Sequence, residues 1–233
     1  MIDILLAGVG GQGTVLAAKV LAQAAQSKGW QVRTAETIGM AQRGGNVTSH
    51  VRMGSNGAAV YSPLITPGTA DMVIALEPGE AARALPYLAP GGVLVTATTA
   101  IHPVTAALAS QPYRAGDVVA ALANSLQAEA SREQAAESIV APNTVTADQD
   151  ASTDGVEGYP VPLFIPVDDE ALVREAGAGS RKSLNMMLLA VAVAQGRVPL
   201  TVDELKDAVR ACVKPQFVAM NLAAIDTAVA NFG

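Results

Sequence analysis

The sequence predicts a three-layer α/β fold, an open and mostly parallel sheet with helices on both faces and a helical C-terminal part. Three observations carry this expectation. Half of the residues are hydrophobic but only 3% are aromatic, so the core is built from Ala, Val, Leu, Ile and Met, a composition that suits buried parallel strands under alanine-rich helices. Short apolar runs alternate with segments of helical spacing through the N-terminal part of the chain. Between the first such run and the first such helix stands Gly8-Val9-Gly10-Gly11-Gln12-Gly13, in the strand–turn–helix arrangement of a Rossmann-like sheet.

The elements follow in order. Ile2 to Ala7 is a short apolar run that ends in the glycine turn and reads as a buried strand. Thr14 to Gln26 carries Ala and Leu at helical spacing, and Lys28-Gly29 supplies a cationic last turn and a stop. Gln31 to Ala35 alternates as a second strand, completing a βαβ unit with an expected right-handed crossover. The polar, glycine-bearing stretch Ile38 to Asn46 is a loop. Val47 to Met53 reads as a strand, and Asn56-Gly57 as a hairpin turn into a partner strand at Ala58 to Tyr61. Asp71 to Leu76 is the next apolar strand. A helix from about Gly79 to Leu88, the turn Pro90-Gly91-Gly92 and a strand from Val93 to Thr96 come after it.

The region of about 127–160 changes character and is expected to be an insertion or mobile loop. Gln127 to Glu133 could extend a helix, whereas Pro142 to Gly158 is rich in Asp, Thr, Ser, Asn and Gly. Val161 to Val167 holds two prolines and follows directly on Pro160, which confines it to a sheet edge or an extended segment. Three helices close the chain, at Ser183 to Gln195, Val202 to Cys212 and Gln216 to Asn231. The acids after Thr201 mark the start of the second of them.

Composition excludes several classes of function. The formal charge is −6, no dense run of Lys or Arg occurs, and aromatic stacking platforms are scarce, so no nucleic-acid partner is expected. Cys212 is the only cysteine. It can form no internal disulfide, and this chain alone cannot hold a cysteine-ligated iron–sulfur cluster, which needs about four thiolates. Met1 runs straight into a strand without a basic leader, and the longest apolar run, Met186 to Ala194, is far short of the ~20 residues of a membrane span. A cytoplasmic chain with no membrane partner is expected.

The glycine turn is the first candidate site. Gly8 permits a tight turn, Gly10 a close backbone approach and Gly13 close packing of helix on strand. The N–H groups that open the following helix attract an anion. The same glycines would also serve if they only let helix and sheet pack closely. Glu36 lies roughly 20 residues beyond the turn, where a dinucleotide enzyme places an acid for the adenosine ribose. A solvated glutamate explains it equally well. Arg43, beside Gly44 and Gly45, could clamp a carboxylate or phosphate, or pair with Glu36. His50 and His102, the only histidines, have no third partner nearby in sequence and read as structural or surface residues. No nucleophile elbow or H-E-x-x-H motif occurs. Cys212 reads as a small core residue of an amphipathic helix.

Two stretches together resemble a known family. The turn from Ala7 to Gly13, followed by Glu36-Thr37-Ile38-Gly39-Met40-Ala41-Gln42-Arg43-Gly44-Gly45 and Ser49-His50-Val51-Arg52, resembles the gamma-type domain of 2-oxoacid:ferredoxin oxidoreductases. The likeness is strongest to the indolepyruvate-type enzymes, which carry that domain as a separate chain of similar length. Lys182 to Leu189 and Met220 to Ala224 are similar to the C-terminal helices of the same family. The resemblance implies a single gamma-type domain over residues 1–233, matched at both ends and unmatched over about 127–160.

The reaction implied is oxidative decarboxylation of a 2-oxoacid with coenzyme A, giving an acyl-CoA, carbon dioxide and reduced ferredoxin. The separate-chain likeness alone favours an arylpyruvate, with pyruvate and branched 2-oxoacids open. Thiamine diphosphate, magnesium and 4Fe-4S clusters are then expected in a larger, alpha-type partner subunit. This chain lacks the GDG…NN signature, since Gly116-Asp117 is followed by Val118, and is not expected to be active alone. Its implied part is to support a shared site, with Gly8, Gly10, Gly11, Gln12 and Gly13 meeting a phosphate-bearing group or the partner. Gln42, Arg43 and Gly44 form the companion loop. Two other readings compete: a self-contained NAD(P)-binding oxidoreductase, resting on the glycine turn and Glu36, and a non-catalytic scaffold subunit.

Overall fold

In the computed structural model, residues 1–39, 45–101, 113–140, 162–177 and 181–233 are described. Gln42, Arg43, Gly44, His102 and the stretch Pro142 to Gly158 lie outside them. One six-stranded sheet runs through the fold in the order β2-β3-β1-β4-β5-β6. Its strands are β1 (Ile2–Val9), β2 (Gln31–Ile38), β3 (Asn46–Gly54), β4 (Ala70–Ala75), β5 (Leu88–Ala97) and β6 (Leu163–Val167). β1, β4, β5 and β6 are mutually parallel, and β3 is antiparallel to both of its neighbours, β1 and β2.

β3 corrects two expectations. The hairpin partner expected at Ala58 to Tyr61 is not a strand, because both edges of β3 are already taken. One edge pairs with β1 from Asn46 to Met53, the other with β2 from Val47 to Gly54. Asn56 and Gly57 do adopt left-handed backbone (φ 54° and 80°), but they turn the chain into an extended segment outside the sheet. The expected βαβ unit is also opened up. Its two strands run parallel but are not adjacent, since β3 lies between them.

Period-two alternation sorts the strands onto two faces. Ile4, Leu6, Met72, Ile74, Val93 and Val95 point into one core with α1 (Thr14–Ser27), α5 (Leu184–Ala194), α6 (Val202–Cys212) and α7 (Pro215–Phe232). Leu5, Ala7, Val73, Ala75 and Leu94 point into a second core with α2 (Pro78–Ala84) and α3 (Ala115–Val140). Ala17, Ala18, Ala24 and Ala25 let α1 lie close on the sheet. α5 is buried on all sides from Leu184 to Val193, as a helix apolar all round must be. α6 is amphipathic and opens on a capping box, Thr201 with Glu204.

The turn expected at Pro90-Gly91-Gly92 lies instead inside β5, which starts at Leu88 and shifts register against β4 there. α2 stops at Ala84 rather than Leu88. The remaining boundaries differ little from the sequence reading. β6 is the edge strand its prolines require. Residues 127–140 belong to α3, which begins well upstream at Ala115. The short helix α4 (Asp169–Glu175), capped by Asp168, was not foreseen.

Candidate functional site

The carboxyl ends of β1 and β4 feed helices on opposite faces of the sheet, α1 and α2. In an open α/β sheet such a divergence leaves a crevice where ligands bind. Here the crevice is closed from within. The Gln12 carboxamide accepts the Val9 N–H through Oε1 (2.6 Å) and donates from Nε2 to the Leu76 carbonyl (2.8 Å). It thus ties the end of β1 to the end of β4. The Leu76 N–H in turn donates to the Ala7 carbonyl (2.8 Å). A Cβ at Gly8 would stand 2.9 Å from Gln12 Oε1 and 2.7 Å from Thr14 Oγ1, so Gly8 is needed to admit the staple.

The rest of the turn is equally engaged. The Gly10 N–H donates to the Gly45 carbonyl (2.8 Å), joining the glycine turn to the base of the β2–β3 loop. Gly11 and Gly13 have φ of +94° and +82°, and Gly13 caps α1 in the left-handed region, where a Cβ is penalised. The Gly13 carbonyl accepts from Asn185 Nδ2 (3.0 Å), and a Cβ on Gly13 would come within 2.6 Å of that nitrogen. The starts of α1 and α5 are thereby locked together. Gly10 and Gly11 are the exposed members of the motif. They face solvent beside the first-turn N–H groups of α1, which have no partner within the helix.

Glu36 sits elsewhere. It lies inside β2 rather than at its end, in register with Ser49 of β3, which pairs with Leu6 of β1. The inserted strand places it two rungs from β1, roughly 10 Å away at ~4.8 Å per strand. A ribose held at the glycine turn would need its acid on the strand next to β1. The described part of the second loop meets the turn through Gly45, and the loop's own base is closed by the Gly39 N–H, which donates to the Asn46 carbonyl (2.8 Å).

Sequence reasoning missed a set of buried polar groups along the same rim. Glu77 follows β4 and caps α2, accepting the Glu80 N–H (3.0 Å) and the Tyr113 hydroxyl. Glu80 is buried and ion-paired with Arg83. Desolvation, with Glu77 nearby, holds the Glu80 carboxyl above its ordinary range, and burial against Glu77 likewise pushes the Tyr113 phenol up. Beyond β5 and β6, Asp169 is fully buried. It accepts the N–H groups of Thr98 (3.1 Å) and Thr99 (2.9 Å) and pairs with Arg181 (2.7 Å). Glu77-Pro78-Gly79-Glu80 carries a legible signal, a capping acid followed by proline at the first helical position. Asp169 and Arg181 are joined only by the fold.

His50 is buried in β3. Its Nδ1 accepts the Ile65 N–H (3.2 Å), its ring meets Tyr87 edge-on, and burial lowers its pKa. Cys212 packs at the edge of the core, where burial pushes its thiol up rather than activating it. Among the described residues no group of three or more His, Cys, Asp or Glu side chains could hold a metal ion. Among them, too, no helix is long and apolar enough to cross a membrane.

Comparison with known proteins decides the family. The model of the pyruvate ferredoxin/flavodoxin oxidoreductase family matches residues 3–231. The chain belongs to that family. It is 32% identical to indolepyruvate oxidoreductase subunit IorB of Archaeoglobus fulgidus over 226 residues, covering 96% of this chain and 92% of the relative. Against the subunit of the same name from Pyrococcus horikoshii it is 29% identical, covering 97% and 94%. Among solved structures it resembles the gamma subunit of a keto/oxoacid ferredoxin oxidoreductase from Geobacter sulfurreducens (TM-score 0.60, 18% identity, 99% of this chain and 97% of that one). It also resembles a 2-oxoglutarate:ferredoxin oxidoreductase from Magnetococcus marinus (TM-score 0.60, 18% identity), where it covers 98% of this chain but 30% of that one. The fold thus makes up a separate chain in one protein and part of a longer chain in another.

Proposed function

We propose that this chain is the smaller subunit of an indolepyruvate-type 2-oxoacid:acceptor oxidoreductase, inactive without a larger alpha-type partner. The observation that carries this reading is the end-to-end likeness to two IorB subunits, covering more than nine-tenths of each chain. In this proposal the partner holds thiamine diphosphate, magnesium and the 4Fe-4S clusters. The complex converts an arylpyruvate and coenzyme A to an aryl-acetyl-CoA and carbon dioxide and passes electrons to ferredoxin.

The rim supports a positioning role for this chain. Gly10, Gly11 and the start of α1 offer backbone N–H groups at an exposed corner, which suits a phosphate-bearing group or a partner's carboxylate. Gln12 is a brace behind that corner, because both ends of its carboxamide are bonded to backbone. A stand-alone NAD(P) enzyme is disfavoured by that brace and by the distance of Glu36 from β1.

Co-expression with a candidate large subunit tests the proposal. The expected result is a stable complex that reduces ferredoxin only when arylpyruvate and coenzyme A are both present, with neither subunit active alone. A chain that fails to co-purify with that subunit, or that alone binds and oxidises NADH, would overturn it.

A further inference from the structure

α2 packs on β1, β4 and β5, and on that face β3 and β2 continue past it. The step leaves a cavity of about 200 Å³ floored by Leu5 and Ala7. Two rungs of the ladder form its strand wall: Leu5 and His50 on one, Ala7, Thr48 and Thr37 on the next. Glu80 and Arg83 of α2 stand opposite, and Asn46 lies at the rim near the glycine turn.

The polar groups on these walls include several that can donate. His50 is 4% exposed and accepts the Ile65 N–H at Nδ1. A neutral imidazole bonded in this way carries its proton on Nε2, and among the described residues nothing pairs with that nitrogen. Burial lowers the pKa of the ring and so favours its neutral form. Glu80, also 4% exposed, is the one carboxylate of the lining, and Arg83 neutralises it. The guanidinium has further N–H groups beyond the one bound to Glu80, and Thr37 and Thr48 add two hydroxyls. We propose that this cavity binds a small monocarboxylate, its carboxylate oxygens taken by His50 Nε2–H and the Arg83 guanidinium and any 2-oxygen by the threonine hydroxyls. The inference stands on this cavity alone and does not depend on the reaction proposed above.

Nitrogen NMR of the full chain with labelled histidine tests it, since His50 and His102 are the only histidines and His102→Gln assigns the signals. Titration with sodium lactate, and separately with acetate, is expected to move the His50 Nε2 resonance saturably, with lactate binding the more tightly. Thr48→Val and Arg83→Gln should each weaken lactate binding at least fivefold. The first is isosteric and the second lies on an exposed side chain, so both should fold. A shift that does not saturate, an equal shift with chloride at the same ionic strength, or lactate affinity unchanged in both variants would each overturn the assignment.

Discussion

Gln12→Ala removes the staple between β1 and β4 while leaving the backbone of the turn in place. Two hydrogen bonds are lost, one at 2.6 Å to the Val9 N–H and one at 2.8 Å to the Leu76 carbonyl. A buried group left unpaired costs about 1–3 kcal/mol. Gln12 is only half-buried, so water can reach part of the gap and the loss should lie near 2 kcal/mol in total. For a chain of this size that corresponds to a Tm lower by about 4–8 °C, read by differential scanning calorimetry. Gln12→Glu sharpens the test. It keeps an acceptor for Val9 but, when ionised, sets a carboxylate oxygen against the Leu76 carbonyl. The neutral acid can still donate, so the folded state raises the pKa of the introduced carboxyl. Its stabilising bond is then present below the unfolded value of about 4.3 and is lost as pH rises through the higher folded value. The Tm deficit of Gln12→Glu against wild type should therefore be larger at pH 8 than at pH 5. A Gln12→Ala protein within 1 °C of wild type, as an order-of-magnitude threshold, or a deficit of Gln12→Glu that ignores pH, would refute the staple.

Other perturbations probe the remaining contacts. Gly13→Ala combines a left-handed φ of +82° with a Cβ 2.6 Å from Asn185 Nδ2. Chemical denaturation should show a loss of at least ~2 kcal/mol, only partly restored by Asn185→Ala because the backbone strain remains. Arg52→Ala strips the buried Asp3 of its 2.9 Å partner and frees the carbonyls of Ser62 and Leu64 that Arg52 holds at 3.2 Å. About 2–4 kcal/mol should go, with early proteolytic cutting near Tyr61. His50 is buried with its pKa below the ordinary 6.5, so its contribution is full above about pH 6.5 and falls as pH drops through the lower folded value. Wild type should lose Tm more steeply between about pH 7 and pH 5 than His50→Gln, whose amide keeps an acceptor for the Ile65 N–H. Thr201→Ala, which removes half of the capping box of α6, should cost about 1 kcal/mol.

What the sequence made legible follows from how local each cause is. The closing helices were readable because α6 announces itself through Thr201 and Glu204, and α5 through a run too apolar to be anything but interior. The edge position of β6 was readable from its prolines. The place of β3 was not. Its own sequence alternates like any half-buried strand, and Asn56-Gly57 is a sound turn signal that operates locally. What removes the hairpin is that β1 and β2 had already claimed both edges of β3, a fact about three distant segments. Asp169 with Thr98 and Thr99, and Gln12 with Leu76, belong to the same class, since each is a contact between segments that the pairing of distant strands brings together.

That inserted antiparallel strand also explains why a dinucleotide motif need not make a dinucleotide site. The glycine pattern depends on a strand, a turn and a helix, and all three are present at Ile2–Val9, Gly8 to Gly13 and Thr14–Ser27. The ribose acid depends on a second strand lying against the first. With β3 between them, Glu36 is carried to the edge of the sheet, and the place beside the turn is filled by Gly45, whose carbonyl takes the Gly10 N–H. Gln12 then closes the crevice that an adenine dinucleotide would enter. The motif survives as a rigid exposed corner formed by two loops. A chain whose relatives are subunits of larger assemblies can present such a corner to a partner's ligand, whereas a self-contained cofactor site would need the crevice open.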